Sequence, residues 1–231
     1  MGYRTVVEID NESLGEMRPH ARHVYREHAD QIPDLIRQLA GPTKEERARA
    51  LDLLSKMGRL VVPQLLAALQ DSTLDPHAVD EVVALLGAFG DDRAKEPLWQ
   101  FLQSSFDNPR RLSNAAVSLA GLGDNRALPF LRCGLDAENT DLVADALLGM
   151  MTVGQLEDIE HLCQVHRRHI SNLEIRYAVA HAILMILGET DEVTIGFILE
   201  TIRLSSMDRP LWIDIWTIMQ GEVGHASQIV H

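Results

Sequence analysis

The densest group of side chains able to do metal or nucleophilic chemistry is His161-Leu-Cys163-Gln-Val-His166-Arg-Arg-His169. On a helix, Cys163, His166 and His169 recur at i, i+3 and i+6 and follow one ridge. A thiolate and two imidazoles are donors that zinc accepts in a tetrahedron. The spacing matches no structural-zinc pattern, however, and Arg167 and Arg168 would repel a cation. The competing reading is a partly buried cysteine flanked by surface histidines, with no metal. His20, His23 and His28 lack a cysteine or carboxylate at metal spacing and read as a solvated helix face. A glycine-rich phosphate loop, a nucleophile elbow and a zinc-protease helix are all missing. No catalytic residue, metal or cofactor is therefore expected.

These residues have to be positioned by helices. Five helix-like apolar runs end at a glycine: Gly58, Gly90, Gly123, Gly154 and Gly188, at intervals of 32, 33, 31 and 34 residues. A fixed period of this size is one supersecondary unit, repeated and stacked. Each unit reads as two helices. The first (A) has start signals: Thr43 three before Glu46, Asp75 before Pro76, Asn108 before Pro109, then Thr140 and Ser171. The glycines are expected to end the A helices in the left-handed conformation. The second (B) covers Val62–Gln70, Ala94–Gln103, Ala127–Leu135, Leu156–Val165 and Val193–Leu204, with Pro63, Pro97 and Pro129 in first turns, where a missing amide proton does no harm. Short links between A and B predict antiparallel pairs. Leu53, Leu54, Leu85, Leu86, Leu119, Leu147, Leu148, Ile183 and Leu184 precede the glycines. They are expected to be deeply buried, each packing on its own B helix and on the next repeat.

Residues 3–9 are β-prone, and 12–29 look helical but polar. We divide the chain into a lead-in or capping segment (1–31), a repeat array with a C-terminal capping helix (32–220), and a tail (221–231). Trp212 and Trp216, on a last helix over Leu211–Met219, are expected to cap the end of the array. Cys133 and Cys163 form no disulfide framework and read as two small buried hydrophobes.

Gly90-Asp-Asp-Arg-Ala94 and Gly123-Asp-Asn-Arg-Ala127 resemble the Leu-Gly-Asp-x-Arg-Ala junction of HEAT-like repeats, in the short subtype also found in phycobilisome lyases. The resemblance is clear over 43–136 and weaker to 204. It implies an all-α, right-handed α-solenoid of about five HEAT-like helix pairs. A helices would lie on the convex side and B helices on a concave face that grips another protein. It also implies an alternative: a phycobilin lyase-like enzyme or chaperone subunit handling a linear tetrapyrrole.

Charge supplies the rest of the functional expectation. The net charge is −13, and residues 127–231 carry 6 Lys+Arg against 15 Asp+Glu, a net −9. An acidic surface repels phosphate, so nucleic acid is not expected, and it suits a basic protein. The leading expectation is a non-enzymatic interaction module: a scaffold, adaptor or inhibitor/immunity-type binder. Its partner-binding face would include Trp99, Gln100, Gln103, Arg132, Asp136, Glu160 and Gln164 on successive B helices. The turn carboxylates Asp91, Asp92 and Asp124 read as local caps. Two cysteines, the lack of a long apolar N-terminal segment and the lack of an eighteen-residue apolar run make a cytoplasmic protein with no membrane contact the expectation.

Overall fold

A computed structural model describes residues 19–226, with side chains to Gly221. The β-prone stretch at 3–9 lies outside the described residues. Every regular element in this range is helical: α1 Pro19–His28, α2 Ile32–Gln38, α3 Lys44–Met57, α4 Val62–Leu69, α5 Pro76–Phe89, α6 Lys95–Gln103, α7 Pro109–Gly121, α8 Leu128–Leu135, α9 Thr140–Val153, α10 Ile159–Arg168, α11 Leu173–Gly188, α12 Glu192–Leu204 and α13 Arg209–Ala226. The A helices are α3, α5, α7, α9 and α11, and their B partners are α4, α6, α8, α10 and α12. The last helix continues to Ala226, well past the Met219 at which the sequence reading ends it. The chain forms two compact units, up to Leu122 and from Gly123. Within each unit the helices pack neighbour to neighbour, as in an all-α solenoid.

The start signals act locally. Thr43 Oγ1 accepts from the Glu46 amide at 3.2 Å, Asp75 from the His77 amide at 2.9 Å, and Asn108 from the Arg111 amide at 3.1 Å. The caps of α9 and α11 are Asn139 and Asn172, each one residue from the expected Thr140 and Ser171. A short amide side chain fills the cap role as well as a hydroxyl does. The Gly-Asp-x-Arg junctions are clamps. Asp91 accepts from the Arg93 amide (3.0 Å) and from its guanidinium (2.9 and 2.7 Å), and Asp124 holds Arg126 in the same way. The Arg93 guanidinium holds the Asp91 carboxyl below its ordinary value, against the opposing effect of burial.

Gly90 ends its helix in the expected left-handed conformation (φ 63°, ψ 35°), whereas Gly58 combines a positive φ with ψ −136°. Gly58, Gly90 and Gly123 have positive φ (59°, 63° and 69°), a region that costs most other residues free energy. Arg59 secures the second by donating to the Phe89 and Gly90 carbonyls at 2.8 and 2.7 Å, so that the start of one B helix caps the next A helix. Gly154 departs from the series, with φ −59°; a Cβ there would meet the Met150 carbonyl at 2.4 Å, so the glycine answers to crowding. Gly188 lies inside α11.

Helix partners also differ from the expected pairing. Each B helix packs most extensively on the helix that follows it: α4 on α5 and α6 on α7 in the first unit, α8 on α9, α10 on α11 and α12 on α13 in the second. A 3₁₀ turn (58–61, 92–94, 125–127 or 156–158) separates four of the A helices from their own B helices. The loop after each B helix returns the chain for close antiparallel contact. A helices also pack on the next A helix, α5 on α7 and α9 on α11, and α11 packs on α13.

The α5–α7 crossing depends on Gly87. A Cβ at that position would lie 2.6 Å from Ser118 Cα and 2.9 Å from the Ser118 carbonyl oxygen, both backbone atoms that cannot swing aside. Asn114 of α7 donates to the Asp80 carbonyl of α5 at 2.8 Å across the same crossing. Gly87→Ala should therefore destabilise by about 1–3 kcal/mol, despite alanine's better helix propensity. An unchanged or raised urea midpoint would show that the two helices separate freely.

Leu54, Leu86, Leu119, Leu147 and Ile183 are fully buried, and Leu85 nearly so. Leu53 and Leu184 are only half-buried, and Leu148 is 57 % exposed. Adjacent helix positions lie about 100° apart, so at 53/54, 147/148 and 183/184 one residue faces the core and its neighbour turns outward, whereas Leu85 and Leu86 are both covered. In α9 the inward row is Val143, Ala146, Leu147, Met150 and Val153, which leaves Leu148 outside it.

Candidate functional site

In the first unit, α6 exposes Gln100 and Gln103, half-buries Trp99, and sends Leu98 and Leu102 inward. In the second unit, Asp136, Glu160 and Gln164 are exposed and Arg132 is half-buried. Several of these side chains already have intramolecular work. Arg132 Nε donates to Asp158 at 2.6 Å. Asp136 accepts from Arg168 Nη2 at 2.8 Å and lies 2.8 Å from His161 Nε2. The His161 contact, with Arg168 behind it, outweighs desolvation and holds the Asp136 carboxyl below its ordinary value. Glu160 is the least committed acid of the set. It meets Gln164 at 3.4 Å and Arg167 at 3.6 Å.

The His/Cys segment has a role that neither reading of the sequence contained. Most of its polar side chains point to partners within the second unit. His166 is 1 % exposed, and its Nε2 lies 2.7 Å from Asp214 Oδ2. Asp214 also accepts two bonds from Arg176, at 3.0 and 2.7 Å. Arg167 grips Asp208 with two bonds, at 2.7 and 2.9 Å, and Ser205 Oγ donates to the same carboxylate at 2.6 Å. Burial alone would raise Asp208, but Arg167 and Ser205 outweigh it and hold the carboxyl below its ordinary value. Among the described residues no His, Cys, Asp and Glu group could hold a metal ion. Burial, with Asp208 and Glu160 nearby, pushes the Cys163 thiol up to about 12. A thiol that stays protonated is neither a ready ligand nor a nucleophile. Cys133 is exposed, contrary to expectation, because it falls on the outer side of α8 while Leu131 and Leu135 face inward.

Beside this network lies an open groove of about 360 Å³ between α10 and α12. Its lining includes Cys163, Ile198, Ile202 and Phe197, with Glu160 and Arg167 as charged members. Trp212 and Trp216 stack at 5.9 Å on α13, with Trp216 exposed. The sequence reading named Glu160 but missed Phe197. The available signal was a large aromatic in a B helix that otherwise reads as core.

Helices in register, clamped at Gly-Asp-x-Arg junctions and packed neighbour to neighbour, define a helical repeat protein. Residues 32–113 match the family model for HEAT repeats, and the chain is a HEAT-like repeat protein. No curated protein matches the sequence. HEAT repeats serve in general as scaffolds for protein–protein interaction. No helix among the described residues is long and apolar enough to cross a membrane.

Proposed function

We propose that this protein is a non-enzymatic interaction module that binds a partner with a basic surface through the solvent-facing side chains of its B helices. One observation carries the reading. Of the six Lys and Arg residues after position 126, five (Arg132, Arg167, Arg168, Arg176 and Arg203) are held in intramolecular ion pairs. The exposed acids Glu138, Asp141, Glu157, Glu174, Glu189 and Glu192 have no ion pair among the described residues. These six acids are thus presented outward rather than neutralised within, which steers a cationic protein toward this segment. Trp99, Gln100 and Gln103 in the first unit, and Arg132, Asp136, Glu160 and Gln164 in the second, are the contact residues of this reading.

The test reverses charge where the fold does not need it. Asp136 is left alone because Arg168 and His161 depend on it. Glu157→Lys, Glu160→Lys and Glu192→Lys are combined, and wild type and variant are immobilised and exposed to host extract. Wild type is expected to retain proteins of high isoelectric point and to release them as the Debye length shortens from about 8 Å at 0.15 M salt toward about 3 Å at 1 M. The triple variant should retain few of them. An identical retained set with identical salt dependence would end the basic-partner reading.

A further inference from the structure

Helix α12 buries a single residue, Ile202, although its sequence runs Val-Thr-Ile-Gly-Phe-Ile-Leu over 193–199. On the opposite side, Val193 is 81 % exposed, Phe197 73 % and Leu204 68 %. At 100° per residue these three fall within about 40° of one another and form a stripe about 16 Å long. Repeat arrays normally finish on polar helices, because an apolar outer face is left wet. Although α13 follows it and packs on it, α12 still turns an apolar side to solvent.

Two further features mark the stripe as a place of contact. Gly196 lies beside Phe197 in the middle of the helix, where glycine costs about 1 kcal/mol relative to alanine. A Cβ there would meet nothing within 4 Å, so nothing among the described residues needs the glycine. Its absent side chain leaves the backbone there open to close approach. Glu200 sits on the stripe itself, exposed and ion-paired with Arg203, which holds its carboxyl below the ordinary value. Phe197 also belongs to the groove shared with α10, so the stripe continues into a concavity whose lining includes Glu160.

We infer that the α12 stripe and the adjoining α10–α12 groove dock a cationic amphipathic helix, with apolar anchors on Val193, Phe197 and Leu204 and basic residues against Glu160, Glu192 and Glu200. This rests on the basic-partner reading and gives the partner a shape. The occupant is a helix because α12 offers no free backbone donors or acceptors along this face. An extended peptide adds itself to a sheet edge through main-chain bonds, and no strand exists among the described residues. A helix satisfies its own backbone and brings side chains at i, i+3, i+4 and i+7, the spacing of the stripe. Charge complementarity selects a cationic helix over an acidic one.

The probes are three fluorescein-labelled 14-residue peptides: a Leu/Lys sequence with leucines at helical spacing, a scrambled isomer of the same charge, and a Leu/Glu counterpart. Anisotropy should show the Leu/Lys helix binding at least tenfold tighter than its scramble, with no binding of the Leu/Glu peptide. Phe197→Asp should weaken the Leu/Lys helix at least tenfold, although it makes the protein more acidic and would strengthen a purely electrostatic association. Circular dichroism checks that this exposed substitution leaves the fold intact. Equal binding of helix and scramble, or undiminished binding by Phe197→Asp, overturns the docking surface and leaves the basic-partner reading standing on charge alone. Binding of the Leu/Glu peptide, or failure of both cationic peptides, overturns both. A wild-type dimer that Phe197→Asp converts to a monomer in light scattering makes the occupant a second copy and overturns the inference.

Discussion

Asp214→Ala is expected to destabilise the protein by about 3–5 kcal/mol, because it strands two groups that depend on one carboxylate. His166 on α10 and Arg176 on α11 both converge on Asp214 of α13, which is 2 % exposed. Alanine leaves a nearly buried imidazole and a largely covered guanidinium facing a space with no acceptor. In a chain of this size each kcal/mol lowers the melting temperature by about 2–4 °C, so a fall of about 10 °C is expected. A second variant separates the cost of breaking the cluster from its worth. Replacing His166, Arg176 and Asp214 together with Leu, Met and Leu removes every charge at once. Buried ion pairs exchanged wholesale for apolar side chains are often neutral or stabilising, so the triple variant should recover most of the loss. A triple variant as unstable as Asp214→Ala would mean that the ion pairs themselves, rather than the stranded partners, stabilise this part of the fold.

That cluster explains what was legible and what was not. The repeat period could be read because it rests on local chemistry: a glycine at a positive φ, a cap two or three residues from its amide, a clamp from Asp91 to Arg93. Each such contact spans a few positions. The polar network joins residues far apart, such as Arg132 to Asp158, Arg167 to Asp208 and His166 to Asp214. No spacing rule connects those partners. One signal was available. Asp214 sits in Leu-Trp-Ile-Asp-Ile-Trp, on the row that buries Leu211, Ile215 and Ile218. A carboxylate at a core-facing position must have a cationic or hydrogen-bonding partner, since burying it alone is prohibitive. The basic run at 166–168 was a strong candidate for that partner.

The candidate surface follows the same division. Exposure of Gln100, Gln103, Glu160 and Gln164 could be read from helical phase. Phase alone could not show that Arg132 and Asp136 are occupied by neighbours, nor that α12 leaves its apolar side uncovered. Both depend on which helix packs against which. The register moved from the expected pairing because each B helix associates most closely with the helix after it.

Leu86→Ala tests that register most directly. Leu86 is fully buried in α5, next to Gly87 at the α5–α7 crossing. Truncation removes its transfer free energy and leaves a cavity that the rigid crossing cannot readily fill, at a cost of about 2–5 kcal/mol. Leu148 is its control. It too stands in an A helix, beside a fully buried leucine, but it is 57 % exposed. Leu148→Ala should stay within about 0.5 kcal/mol of wild type, the range of surface substitutions, helped by alanine's helix propensity. Urea unfolding of both variants measures the contrast, and an unchanged m-value for Leu86→Ala attributes its loss to the folded core. Comparable losses at the two positions would place Leu148 in a buried interface, and the inward row of α9 would then have to be redrawn around it.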